Sequence, residues 1–96
     1  MVVFNCPNIS DSNIRIKEVP FKSDADIIIY KCPTMADSTS ENTNWFFCDS
    51  PANASLKVYF VTNTADANLK VYFSRFRTDA HWLNPLKEHL INKRHL

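Results

Sequence analysis

The chain has 96 residues, 45% of them apolar and 22% charged, with a formal net charge of +1. This is the composition of one ordinary globular domain; it excludes a disordered chain and gives no bulk attraction to nucleic acid or an anionic membrane surface. No apolar run exceeds four residues, as in Ile27–Tyr30, whereas a membrane helix needs about 20.

The opening residues, MVVFNCPN, carry no basic segment and no long apolar stretch, so no secretory leader is expected. Three cysteines, with no CxxC pair, point to a reducing, cytoplasmic location. Glycine is absent, which removes Gly-rich phosphate loops and nucleophile elbows. No cofactor motif is visible and no cofactor is expected. Tight turns fall to Asn, Asp, Ser and Pro.

In chain order, short β-rich segments alternate with polar turns. They are VVF near Val2, IRIK from Ile14, IIIY from Ile27, WFF from Trp45, and LKVYF twice, from Leu56 and from Leu69. The two LKVYF copies start thirteen residues apart, and the same step organises the chain. Val3, Ile16, Ile29, Trp45, Val58 and Val71 form one apolar column, with a single step of sixteen before Trp45. The extra three residues fall within Thr39–Thr43. Each unit ends in a small–Asp/Asn–small triplet centred on Asp11, Asp24, Asp37, Asn53, Asp66 or Asp79.

Thirteen residues hold one strand and one turn, with no room for a helix. The spacing therefore predicts an all-β fold of six tandem 13-residue strand–turn units over 2–82, within one domain of 1–96. No unit can bury its own face, so units must pack on each other. Both strand faces should be partly buried, and the Val3 column should be a main source of stability. Units one to three carry Pro7, Pro20 and Pro33; units four to six replace them and bring in Phe47, Phe60 and Phe73. Proline favours strand ends and edges, so the halves should take different places in the sheet. Residues 83–96 form a tail. Asn84 is a candidate N-cap, Pro85 a first helical residue, and Leu86, Leu90 and Ile91 an apolar stripe of a short C-terminal helix.

The stretch LKVYFVTNTADANLKVYFSRFRTDAHW, followed by KEHL, resembles the septknot family of small, mostly bacterial proteins. The match is best over 44–90, and the periodicity extends it back to Val2. Family members typically have Ser-Gln-Ala in the turn, where this chain has Asp or Asn in place of Gln. The resemblance implies a compact, pseudo-symmetric β domain, deeply tied in a seven-crossing torus knot. It carries over no activity and no site residues. Periodicity by itself fits a meander or a solenoid equally well.

Three clusters could carry chemistry. The turn aspartates could gather on a rim and hold Ca²⁺ or Mg²⁺, but Asx hydrogen bonds within each turn explain them, and Asn53 shares the column. Cys6, Cys32 and Cys48 share a column with Val19 and Val61, which favours core packing over a metal site. Arg75, Arg77, Lys87, Lys93 and Arg94, with His95, lie near Phe76 and Trp82. They are the candidate site for an anion or nucleic acid, against which the net charge argues. His81, His89 and His95 lie in the final sixteen residues without a readable nucleophile partner. The leading reading is a robust structural or interaction module, monomeric, without catalysis or a membrane anchor.

Overall fold

The fold is described from a computed structural model, for residues 1–35 and 42–92. Seven strands follow in order: β1 Val2–Asn5, β2 Ile14–Glu18, β3 Ile27–Lys31, β4 Asn44–Phe47, β5 Leu56–Phe60, β6 Leu69–Ser74 and β7 His81–Trp82. A three-residue 3-10 turn precedes β2, β3, β5, β6 and β7, and each of these turns ends on the Asp or Asn of the triplet, as in Ile9–Asp11. The chain closes with a 3-10 turn at Pro85–Lys87 and the short helix α1, His89–Asn92.

The strands β1 to β6 are parallel and close into a barrel in the order β1-β5-β2-β6-β3-β4. Closure comes from β4, which pairs with β3 (Lys31 opposite Trp45) and with β1 (Val3 opposite Phe47). The first three strands thus alternate with the last three. Each connection 6–13, 19–26, 48–55 and 61–68 steps over one intervening strand, while 32–43 leads to the adjacent position. From β1 to β6 the chain winds about one and a half times round the barrel, and the single odd step, between β3 and β4, places the last three strands between the first three.

Chain reach shows why thirteen residues suffice. A connection must return about 16 Å along a strand and move about 10 Å across two strand spacings. Eight residues reach about 26 Å when extended, so a path with one 3-10 turn fits and a helix does not. A filled core forces the path outside. Lys22 of one connection lies 5.9 Å over the Tyr72 ring of β6, and Arg77 of another lies 5.1 Å over Tyr30 of β3. Outward aromatics are therefore half-buried under connections, as both faces of the pattern suggested.

Inside, Val3, Ile16, Ile29, Trp45, Val58 and Val71 are all 0% exposed and form the middle layer. Met1, Ile14, Ile27, Leu56 and Leu69 pack in the core below them, at the amino ends of the strands. Each fully buried side chain of this size contributes about 1.5–3 kcal/mol. The two halves do play different parts, but neither forms an edge, because the barrel is closed. The prolines sit at strand ends: each follows the last ladder donor, as Pro7 follows Cys6, whose amide donates to Val58 O (2.8 Å).

β7 runs antiparallel to the start of β3, Ile27 opposite Trp82. The tail then reaches Asp26 and sends Ile91 into the core. Two details differ from the sequence reading. Leu86 is 84% exposed and leaves the apolar stripe to Leu90 and Ile91, because the 3-10 turn rotates it off the buried side. Asn84 precedes that turn but makes no side-chain cap bond.

Candidate functional site

At the carboxyl ends of the parallel strands the inward column changes character between halves. Phe47, Phe60 and Phe73 meet there with ring centroids 6.0–6.3 Å apart, and Trp45 stands edge-on to Phe47 and Phe73. The rings are half-buried. Between them on the rim stand exposed Asn5, Glu18 and Lys31. The Lys31 ammonium lies 5.2 Å from the Phe47 centroid and 5.7 Å from that of Phe73, where ring faces attract a cation. The mouth is an aromatic plug under a lysine.

Two outer seams flank this mouth. In one, Lys22 Nζ donates to Asp79 Oδ2 (3.1 Å) above Tyr72, and Ser74 Oγ donates to the same oxygen (2.8 Å). The Ser74 and Lys22 bonds hold the Asp79 carboxyl below its usual range. In the other seam, thirteen residues earlier in each strand and turn, lies a groove of about 490 Å³. Ile9, Arg15, Tyr59, Phe60 and Asp66 line it. Arg15 stands opposite Tyr59 in the β2–β5 register. The groove offers an aromatic face, a carboxylate and a guanidinium.

The basic residues singled out in the sequence are dispersed. Arg75 follows β6 and is exposed; Arg77 covers Tyr30 on the outside of β3. Lys87 is at the opposite end, where its ammonium donates to Asp26 Oδ2 (3.2 Å). Lys93 and Arg94, with His95, lie outside the described residues, as does Asp37. The turn aspartates end separate 3-10 turns, and no group of three or more metal-ligating side chains gathers among the described residues. Asp79 bonds Ser74 and Lys22 rather than an amide of its own turn. Cys6 and Cys32 are buried and Cys48 is half-buried. Burial pushes the Cys6 thiol up. His89 opens α1, its Nδ1 2.9 Å from Leu86 O.

One polar column was missed. Asn13 Oδ1 accepts from Lys57 N (2.9 Å), Asp26 Oδ2 from Lys70 N (2.9 Å), and Asn68 Oδ1 from Arg15 N (2.9 Å). In each case the same residue's own amide donates back to that neighbour's carbonyl at 2.8 Å. Ser55 holds Val2 O with both its amide and its hydroxyl. Asn42, in the same column, accepts from Trp82 Nε1 and donates to Glu88 Oε2, both at 2.9 Å. The signal was present three residues before Ile16, Ile29, Trp45, Val58 and Val71, but Asn, Asp and Ser there read as generic turn residues. Their partner strands are 40 or more residues away.

A family model described as the 7(1) septoil knot domain, Septknot, matches residues 1–83. No curated protein and no solved structure matches the chain.

Proposed function

The chain belongs to the septknot family, and from that premise we propose that it serves as an unfolding-resistant interaction module that binds rather than catalyses. The observation that carries this reading is the interleaving: each of β1, β2 and β3 is hydrogen-bonded between two strands of the other half. No half can leave without breaking both ladders, and a knotted chain must also be unthreaded, which raises the unfolding barrier. A persistent surface is useful to a protein that works by contact. Its working form is a monomer in the cytoplasm, and the location is supported by an odd number of cysteines, three, with no CxxC pair. Among the described residues no helix is long and apolar enough to cross a membrane.

The test is the rate at which a thiol reagent modifies Cys6 and Cys32, run beside digestion by a dilute protease. An unfolding rate of about 10⁻⁵ s⁻¹ or slower is expected. Modification and digestion within seconds would remove the reading.

A second reading takes the alternative site, an anionic single strand near Arg75 and Arg77. It is favoured by Phe76 and Phe21, which are 60% and 65% exposed on turns joined by the Lys22–Asp79 pair. A gel shift at low salt checks it; no retarded band eliminates it.

A further inference from the structure

The two outer seams are built alike, and only one is complete. In the Tyr72 seam, Lys22 opens the 3-10 turn Lys22–Asp24, and its ammonium lies over the ring on the Asp79 carboxylate. Asp79 closes the turn Arg77–Asp79 and takes a second bond from Ser74. Thirteen residues earlier, Tyr59 takes the place of Tyr72, and Asp66 closes the turn Thr64–Asp66 as Asp79 closes its own. The two groups that satisfied Asp79 are gone. Ile9 stands for Lys22 and Val61 for Ser74. The carboxylate and ring remain, and the space that an ammonium fills in the complete seam is open as the groove beside Ile9 and Tyr59.

We propose that this groove receives a lysine side chain from a partner protein. The ammonium sits over Tyr59 and pairs with Asp66, as Lys22 does over Tyr72 and on Asp79. The lysine stem lies along Ile9, since such stems pack on apolar surface. Arg15 gives the partner a second requirement. Its guanidinium lines the same groove opposite Tyr59, and among the described residues it is not paired with Asp66. An acidic residue next to the lysine meets Arg15, while a purely basic segment is repelled by it. The partner segment is therefore a lysine beside an acidic residue, at an exposed site where ring and carboxylate attract together.

The proposal rests on the interaction-module reading and is tested apart from it. The blocked dipeptide acetyl-Lys-Glu-amide is titrated into the full chain and followed by backbone amide NMR. Saturable shifts at Tyr59, Asp66 and Arg15 are expected, weakening with added salt. The Nε-acetylated dipeptide should give none. Asp66→Asn should weaken binding roughly tenfold or more, the scale of one lost charge-assisted contact. Ile9→Lys should abolish the shifts by placing the chain's own ammonium in the groove. Ile9 and Asp66 are both exposed, so these variants keep the fold. Equal shifts with the acetylated dipeptide, or unchanged binding by Ile9→Lys, would overturn the proposal. No shifts in a chain that unfolds slowly would overturn it too, and leave the module reading standing.

Discussion

Asp26 and Lys87 are joined at 3.2 Å, ammonium to Oδ2, and the same oxygen accepts the Lys70 amide at 2.9 Å. The Asp26 carbonyl accepts the Leu83 and Asn84 amides, both at 2.9 Å. One buried residue thus ties β3 to β6 and fastens the tail that delivers Ile91 to the core. Asp26→Ala should cost about 1–3 kcal/mol through the orphaned amide, with a further loss from the released Lys87. Asp26→Asn should cost less, because its amide oxygen can still accept from Lys70 N. Urea unfolding after full equilibration gives the order; equal effects of the two variants would place the tail's attachment elsewhere.

The middle layer and its outward neighbours should respond very differently to truncation. Ile16→Ala, in a closed barrel that cannot collapse around the gap, is expected to cost about 2–5 kcal/mol. Lys17→Ala, one residue on and facing outward, should stay within about 0.5 kcal/mol of the parent. Thermal unfolding of the pair checks this, and similar losses would mean that the inward and outward faces are misassigned.

Lys31 should be coupled to the rings it covers. A double-mutant cycle of Lys31→Met with Phe73→Leu is expected to show about 0.5–1 kcal/mol of coupling. The same cycle with Phe60→Leu, a ring the ammonium does not cover, should show almost none. Coupling to Phe60 as large as to Phe73 would refute the geometry of the mouth.

Asp79 makes stability depend on acid. Its folded carboxyl titrates below the ordinary value of 3.8, through its bonds to Ser74 and Lys22. The unfolded chain therefore takes up the proton first as pH falls. The stabilisation is fully present above that ordinary value and is lost as pH drops through the folded one. Unfolding midpoints measured between pH 6 and pH 2 should fall less steeply at the acid end in Asp79→Asn. Parallel acid limbs would count against the assignment.

The strands and the middle layer were legible in the sequence because burial of alternate residues leaves a local signature. Val3, Ile16, Ile29, Trp45, Val58 and Val71 stand at regular steps, and each is fully buried. Strand order was not legible. That β5 lies between β1 and β2 depends on pairings such as Ile14 with Val58, and nothing near either residue encodes the other. Asn13, Asp26 and Asn68 escaped notice for the same reason: their partners Lys57, Lys70 and Arg15 are supplied by the interleaving. The groove at Tyr59 became visible only once its twin at Tyr72 could be laid beside it. In the sequence, Ile9 and Lys22 are two unremarked members of one column.

The central claim is that the two halves of the chain hold each other and cannot open separately. Amide hydrogen exchange across β1 to β6 tests this most directly, because it reads an opening free energy at each strand. The account predicts one shared value: amides such as Val19 and Cys32 of the first half, and Cys48 and Val61 of the second, exchange only through global unfolding. A distinctly lower opening free energy for β4 to β6 than for β1 to β3, or the reverse, would contradict it.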